Sequence, residues 1–414
     1  MKTSEMQDKI LHSIHHLDLW IENNGWAGYD PYDLRQYKLY QILAGIYAPK
    51  YLRFFTRRMV EYAEKHHPMA VRKGFQIPKR INAKGMGLFA RGYLNLYRMK
   101  EDDKYLAKAD ECLGWLLENS SFSGNPSKLG WGYPFTWYAG HKEQHIFPPN
   151  TPFAVVTTVA GHAFLDRFDI LREWSDVEHA QKCARFLLED LNRDEINESE
   201  LCFSYGPLDN NHVINANLNV ATFLSRLSRY IDDDDMLHLA RKARKFSVSL
   251  QNGDGSWFYW APPDLKFWSV DNYHMGIKLE WLWMVRQYDP EPEDEENLKK
   301  GLRYYITNLF DSDGTPKLTP FDPYPYDIHS ASQAIATFAL LKKDYPAACR
   351  SMLVKIVQWT LKNLSNADGS FAYRIYPGLK DQTPHIRWGQ AWMLWALSCA
   401  ARTLHEDSFV NGDE

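Results

Sequence analysis

Six short clusters of polar residues contain the side chains of this chain that are best suited to chemistry. One cluster supplies Asp271, Tyr273 and His274, and the next one along the chain supplies Asp327 and His329. Two carboxyl groups on either side of a glycosidic bond can hydrolyse it, one as acid and one as base or nucleophile. Histidine titrates near neutrality and can instead remove a proton as a general base. The six clusters are 82–84, 150–151, 215–217, 271–274, 327–329 and 385–387.

The clusters recur about every 55 to 70 residues, which is close to the length of a helix pair with its two connections. Each cluster opens an apolar helical stretch, and amphipathic helical stretches alternate with these. Such a repeat is typical of helix pairs that surround a common axis. We therefore predict an all-α fold, an (α/α)6 toroid whose inner helices present all six polar clusters at one rim. The inner stretches are 83–98, 152–168, 214–231, 272–288, 328–343 and 386–404, and the outer ones are 51–66, 102–119, 174–193, 233–251, 292–310 and 346–364.

The connections and the N-terminal region complete this prediction. Asp-Gly-Ser/Thr sequences at 252–257, 311–315 and 366–371 predict tight turns followed by short β-ribbons at one rim. Two further helices, near 5–22 and 35–47, could cap the barrel or close a seventh hairpin. No segment resembles a flexible linker. We therefore predict a single domain over residues 1–414, with 1–50 as a helical extension or an extra hairpin.

The composition favours a sugar as the partner over a nucleic acid. Aromatic residues make up 14% of the chain, with 15 Trp and 24 Tyr, and these side chains fill cores and also stack on sugar faces. A net charge of −4 without a basic run argues against nucleic acid. The sequence shows no apolar run long enough to span a membrane, no secretory leader, no phosphate or dinucleotide loop and no metal-binding Cys spacing. We predict a cytoplasmic protein without cofactor or metal, and the oligomeric state stays open.

Helix pairs joined by a turn such as residues 253–257, Gly-Asp-Gly-Ser-Trp, resemble the α/α-toroid superfamilies. These include six-hairpin glycosidases, toroidal polysaccharide lyases, C-terminal domains of uronyl C5-epimerases, terpene cyclases and prenyltransferases, and the resemblance covers about residues 50–404. The Asp run 232–235 lies at the rim opposite the clusters, where it does not fit the acid motif of a terpene cyclase. No Cys begins an inner helix, as a prenyltransferase zinc site would need. Segments 30–33, 130–135 and 387–392 look like those of toroids linked to polysaccharide and glycan assembly.

The resemblance implies a carbohydrate-active enzyme, and hydrolysis of a glycosidic bond is the first hypothesis for its reaction. Asp271 and Asp327 begin inner helices of adjacent hairpins, which pack roughly 8–10 Å apart, so their carboxyl groups could flank a sugar. Asp209 and Asp33 lie in loops that approach the same rim. A structural role competes with this hypothesis, because Asp is also a preferred N-cap residue.

The second hypothesis is β-elimination or C5-epimerisation of a uronic acid. Tyr273, His274 and His329 would transfer protons. Basic and amide side chains would hold the substrate carboxylate, and helix N-termini that face the axis favour an anion as well. The predicted carboxylate-binding residues are Arg387, Asn217, Asn215 and Lys84.

The third hypothesis is a glycan-binding subunit without catalysis, in which loop aromatics form a platform for sugars. The predicted platform residues are Trp131, Tyr133, Trp137, Tyr138, Trp257 and Trp260. This hypothesis predicts that the aromatic loops matter and that the carboxylates of the rim do not. We rank hydrolysis of an oligosaccharide or polysaccharide that contains uronic acid first, narrowly ahead of elimination or epimerisation.

Overall fold

The computed structural model describes residues 3–43, 53–139, 145–261 and 270–411, and helices dominate these ranges. In chain order the helices are α1 (Thr3–Asn24), α2 (Lys38–Leu43), α3 (Arg53–His66), α4 (Pro68–Gly74), α5 (Ala83–Lys100), α6 (Asp103–Glu118), α7 (Ala154–Leu171), α8 (Trp174–Glu189), α9 (Ile214–Leu227), α10 (Asp234–Ser249), α11 (Asn272–Tyr288), α12 (Pro292–Asn308), α13 (Ile328–Leu341), α14 (Pro346–Asn363) and α15 (Trp392–Asn411). A π-helical turn, Ile386–Ala391, leads into α15.

Six of these helices form a closed inner ring. Each of α5, α7, α9, α11, α13 and α15 packs against its two neighbours, and α15 packs back against α5. Helices α6, α8, α10, α12 and α14 pack outside the ring. The inner helices are buried almost all round, as their apolar sequences require. The predicted (α/α)6 toroid is confirmed, and the alternative of seven hairpins is wrong for the described part of the chain.

The sixth outer position is filled by α1, at the other end of the chain from its partner. Its apolar face is buried against α15 and α14. The Asp-Gly turns give the same assignment, because each of them packs against the next outer helix. Gly255 approaches Lys300 of α12, and Gly369 approaches His16 of α1. Helix α1 therefore follows α14 around the ring, and Trp20 of α1 donates a hydrogen bond to Asp368 in that turn.

One helix of the prediction was misplaced. The stretch 51–66 was predicted to be the first outer helix, whereas α3 packs with α2, α4 and a rim strand instead. Amphipathicity predicted a helix there but could not identify the surface that it covers. The predicted helix near 35–47 corresponds to α2, and its last residues lie outside the described ranges. That residues 1–414 form one domain stays a prediction.

Short β-ribbons lie in the connections that lead into the inner helices, but the ribbon predicted after the turn at 252–257 is, among the described residues, only an isolated bridge between Val213 and Trp260. Strand β1 (Trp137–Ala139) pairs with β2 (His145–Phe147), and β3 (Arg193–Asn197) pairs with β4 (Glu200–Phe203). A three-stranded sheet joins β5 (Tyr326–Asp327), β6 (Arg374–Tyr376) and β7 (Leu379–Asp381), all antiparallel. These connections surround the rim at which the inner helices begin. None of the described helices is both long and apolar enough to cross a lipid bilayer.

Candidate active site

N-cap residues place the first polar side chains of the site at the rim. Asp271 caps α11 by accepting a hydrogen bond from the backbone N–H of His274, and Asn82 caps α5 through the N–H of Lys84. The capped helices belong to one ring and run in the same direction. His274 and Lys84 therefore enter the toroid from the same end.

Asp271 and His274 form a dyad at this rim. The Oδ2 atom of Asp271 lies 2.6 Å from Nδ1 of His274, so the carboxylate accepts the Nδ1 proton and leaves Nε2 as the basic nitrogen. Burial lowers the pKa of His274 against the opposing effect of Asp271. Burial alone would raise the pKa of Asp271, but His274 takes it below its ordinary value. At neutral pH the dyad is a carboxylate beside a neutral imidazole.

The dyad lies in a recess that solvent reaches. Protein atoms surround both groups deeply enough for burial to act on both pKa values. The side chains of His274 and Asp271 are nevertheless 18% and 16% exposed. Rings of Tyr259 and Tyr273 lie 4.3 Å and 4.2 Å from the ring of His274, centroid to centroid. A concave site of this kind can admit part of a substrate while limiting its contact with water.

His329 occupies the adjoining wall of the recess. Its ring stacks on Tyr273 at 4.6 Å and contacts Trp388 and Trp392 at 4.5 Å and 4.6 Å. Neither ring nitrogen has a hydrogen-bond partner among the described residues. Burial, helped by the positive charge of Lys84, holds the pKa of His329 well below its ordinary value. The structure thus brings His274, Tyr273 and His329 together, as the proton-transfer hypothesis predicts.

Arg387 also reaches the recess, in a fixed orientation. Its Nε and Nη2 donate to the two carboxylate oxygens of Asp30 at 2.6 Å and 2.9 Å. The guanidinium lies 4.9 Å from the ring centre of Tyr133. Nη1 takes no part in this ion pair, and the residue as a whole is 2% exposed. Asp33, predicted at the site, instead forms a buried ion pair with Arg72 and accepts the N–H of Asp30. It therefore supports the loop that carries Asp30.

Asp327 is enclosed by partners. It is fully buried, and it accepts hydrogen bonds from the N–H of His329, from Nε1 of Trp388 and from Nε of Arg374. A carboxylate with three donors and no exposed surface has no room for a sugar oxygen or a water molecule. The predicted catalytic role of Asp327 therefore loses its support. Its place is that of an N-cap that also orients Trp388 and Arg374.

Two more of the predicted binding residues hold the scaffold. The side chain of Asn217 points outward, where it donates to the backbone carbonyl of Ala243 and accepts the N–H of Phe203. Asp209 accepts the backbone N–H groups of Gly206 and Asn211 and so shapes the loop that carries Tyr205. Neither side chain is directed at the recess, so the prediction that they bind substrate is not supported.

Asn215 differs from Asn217 in that its Oδ1 is buried without a hydrogen-bond partner among the described residues. We expect Asn217→Ala to lower the free energy of unfolding by about 2–3 kcal/mol, because the Ala243 carbonyl and the Phe203 N–H lose a buried partner. Asn215→Ala breaks no hydrogen bond and should leave stability within about 0.5 kcal/mol. Thermal and urea unfolding measure both variants. A larger loss of stability in Asn215→Ala than in Asn217→Ala would contradict this assignment.

The predicted aromatic platform is only partly at the rim. Trp131 and Trp257 are buried in the core, where each indole N–H donates to the last turn of the preceding outer helix, at Leu116 and Ser247. Their role as sugar-stacking residues is therefore wrong, because a ring enclosed by the core has no free face. Tyr133 remains beside Arg387, and its hydroxyl lies 3.3 Å from that of Tyr205. Trp260 is partly exposed and packs on Tyr259.

Two charged residues of α11, Lys278 and Glu280, lie inside the ring and were not predicted from the sequence. Lys278 is 1% exposed and Glu280 is 2% exposed. Gln333 donates a hydrogen bond of 2.6 Å to Glu280, and burial raises the pKa of that carboxyl. Both residues interrupt a stretch of helix that is otherwise apolar. A buried Lys or Glu is rare without a partner, and that signal could have identified them. No group of three or more His, Cys, Asp or Glu among the described residues is arranged to hold a metal ion.

Comparisons with known proteins identify the fold. No family model matches the chain, and no curated protein matches its sequence. A cellobiose 2-epimerase from Bacillus thermoamylovorans superposes with a TM-score of 0.58 at 10% identity, over 79% of this chain and 88% of that one. A family 88 glycosyl hydrolase from Bacteroides vulgatus gives 0.55 at 12% identity, over 78% and 91%. A polysaccharide lyase gives 0.54 at 11% identity, over 78% and 90%. These structures share the α/α-toroid fold with this chain, so the fold that the sequence resemblance implied is confirmed.

Proposed function

We propose that this protein is a carbohydrate-active enzyme that removes a proton from a uronic acid unit of an oligosaccharide or polysaccharide, as a lyase or a C5-epimerase. The Asp271–His274 dyad is the observation that carries this proposal. A neutral histidine whose Nδ1 proton is held by a carboxylate is oriented to accept a proton at Nε2. The structural neighbours with this fold include a cellobiose 2-epimerase and a polysaccharide lyase.

The surrounding residues fit the later steps. In β-elimination, Nε2 of His274 takes the C5 proton, the electrons of that bond form a C4–C5 double bond, and the C4–O bond breaks. Burial keeps the pKa of Tyr273 well above its ordinary value, so the hydroxyl retains a proton that it can donate to the leaving oxygen. Arg387 stabilises the negative charge that grows on the substrate carboxylate. In epimerisation the proton returns to the opposite face of C5, and no bond to C4 breaks.

Hydrolysis is the second candidate, and it now depends on a different pair of carboxyl groups. Burial raises the pKa of Glu280, while His274 lowers that of Asp271. When the surroundings raise the pKa of one carboxyl group and lower that of another, the first can act as the acid and the second as the base or nucleophile. Asp327 would take no part, because its carboxylate already accepts hydrogen bonds from three donors. The family 88 hydrolase among the neighbours has the same fold.

A substrate screen separates these reactions. Purified protein is incubated with oligouronates and with neutral oligosaccharides, and new reducing ends are measured together with the ultraviolet absorbance of unsaturated products. Elimination gives both signals, whereas hydrolysis gives reducing ends alone. Epimerisation gives neither signal but exchanges the C5 hydrogen with solvent. Reducing ends without unsaturation or exchange would reject the proposal in favour of hydrolysis.

The compartment also remains a proposal. We infer a cytoplasmic location, supported by five free, buried cysteines in the described part of the chain, as expected for a reducing environment.

A further inference from the structure

Two lysine side chains extend into the interior of the toroid without a hydrogen bond or an ion pair to any described residue. Lys84 is 9% exposed and Lys278 is 1% exposed. Neither ammonium makes a hydrogen bond or an ion pair with the part of the chain that the structure describes. Burying an unpaired ammonium is costly, and folded proteins almost always pair such a group. Among the described residues, a cation–π contact of Lys84 with Trp392 offsets part of this cost. A stability cost of this kind is typical of a group retained for binding.

Lys278 points into the interior, as its neighbours on the same helical face show. His274, Lys278 and Trp281 follow one another at intervals of four and three residues on α11. Trp281 stacks on His162 of α7 at 5.0 Å. Helix α9 separates α7 from α11 in the ring, so Trp281 can reach His162 only through the interior. Lys278 therefore lies in the interior, about one turn below His274 of the dyad.

Lys84 enters from the opposite side of the ring. Helix α5 stands three places from α11 in the six-membered ring, which is the diametrically opposed position. The ammonium of Lys84 lies 5.4 Å from the ring centre of Trp392. Its charge acts on His274 of α11 and on His329 of α13, neither of which belongs to a helix that touches α5. Lys84 therefore faces the same recess as the dyad.

The two ammonium groups are separate sites. Lys84 is the second residue of α5 and Lys278 the seventh of α11, which puts them at depths that differ by about 7 Å if the helices start level. Burial lowers the pKa of Lys84 to about 7 and that of Lys278 to about 8. A single carboxylate is too small to satisfy both groups comfortably.

We propose that Lys84 and Lys278 bind two anionic groups on neighbouring units of one substrate chain, so that the substrate is a glycan with repeated negative charge. Lys84 acts with Arg387 near the mouth of the recess, and Lys278 acts below the dyad. This inference rests on the proposed function and extends it from a glycan with one uronic acid unit at the reacting position to a polyanionic one. Carboxylate and sulfate groups share the required chemistry.

Equilibrium binding tests the proposal without depending on turnover. Calorimetry with the wild type and the His274→Ala variant uses oligouronates of one to four units, their carboxyl-reduced counterparts, and neutral oligosaccharides bearing sulfate. We expect the affinity to rise at least about tenfold from one unit to two or three, and the carboxyl-reduced ligands to lose that gain. Sulfated ligands that bind more tightly than oligouronates would identify sulfate as the anion. Equal affinity for charged and reduced ligands would overturn the proposal.

Lys84→Met and Lys278→Met separate binding from structure. Each variant should weaken oligouronate binding about tenfold or more, with the two effects multiplying in the double variant. Each should also raise the melting temperature of the free protein, because an isosteric apolar side chain replaces an unpaired buried charge. Lys108→Met is the control, since that ammonium pairs with Asp18 and Glu22 on the outer surface. Unchanged oligouronate binding in either lysine variant would overturn the proposal. A melting temperature of that variant below that of the wild type would also overturn it.

The pH dependence of stability gives an independent check on Lys84. Its folded pKa of about 7 lies below the ordinary value of 10.5 for lysine, so the unfolded chain binds the extra proton between these values. The contribution of Lys84 to stability therefore rises with pH from about 7 to 10. The wild type should show this rise relative to Lys84→Met, and a saturating oligouronate should reduce it. The charged groups that act on Lys84 are Arg387, Asp30 and Glu280, and they are common to both proteins. So are the other titratable groups that face the recess: Asp271, Tyr273, His274, Tyr259, Tyr133, His329 and Lys278.

The outcomes also distinguish this inference from the proposed reaction. A protein that binds oligouronates in this lysine-dependent way, but shows neither elimination nor exchange, would retain the binding site and reject the reaction. A protein that eliminates or exchanges, while tolerating both lysine substitutions, would retain the reaction and reject the two-anion site.

Discussion

His274→Ala is expected to lower kcat by about 10³-fold on the substrate identified by the screen, because the variant loses its general base. The far-UV circular dichroism and the melting temperature should stay near those of the wild type. The ring of His274 is part of the lining of the recess, and among the described residues its side chain makes one hydrogen bond, to Asp271. Initial rates at saturating substrate measure the effect. A variant that keeps more than a tenth of the wild-type kcat would contradict the assignment of His274 as the base.

Asp271→Asn separates the charge of the dyad from the helix cap. Asparagine caps a helix as well as aspartate does, so the stability of α11 should change little. The lost charge no longer stabilises the imidazolium, and the amide can turn the imidazole to its other tautomer. We therefore expect kcat to fall by about 10²-fold or more. Asp233→Asn is the matched control, because Asp233 caps the outer helix α10 and should retain full activity. Equal activity in the two variants would rule out a catalytic dyad.

Asp327→Ala is expected to act on stability instead. It removes a buried carboxylate and leaves Arg374 and Trp388 without their acceptor. The expected loss is about 3 kcal/mol, at the low end for a broken buried pair because Arg374 remains partly exposed. Asp233→Ala, which removes a cap alone, should cost about 1 kcal/mol. Chemical unfolding at constant pH measures both losses.

Activity distinguishes this role of Asp327 from catalysis. At a temperature at which the variant is folded, Asp327→Ala should keep kcat within about tenfold of the wild type, since no proton passes through Asp327. A variant with unchanged stability and an activity as low as that of His274→Ala would restore Asp327 to the catalytic pair.

The repeat made the fold predictable from the sequence, but it did not predict which helix takes the sixth outer position. Polar openings and alternating apolar and amphipathic stretches gave the six inner helices and five of the outer ones. The sixth outer helix, α1, is remote in sequence from its neighbours α14 and α15. Its amphipathic pattern did not distinguish it from α3, because a pattern indicates that a face is buried but not what covers it.

The sequence predicted the position of the candidate site better than it predicted the residues that form it. Asp271, His274 and His329 lie where the helix starts placed them. Asn217 and Asp327 begin the same kind of helix but turn their side chains to structural partners, which a one-dimensional pattern does not show. Trp257 likewise fills the core, because the turn before it directs its ring inward. Lys278 lies deeper than the polar openings on which the prediction concentrated.

Hydrogen exchange at C5 tests the central claim most directly. Wild type and His274→Ala are incubated with an oligouronate in deuterated solvent, and the products are followed by mass spectrometry and proton NMR. We expect either deuterium at C5 or an unsaturated uronate with the wild type, and neither with the variant. New reducing ends with C5 hydrogen retained and no unsaturated product would contradict proton abstraction and make this toroid a hydrolase.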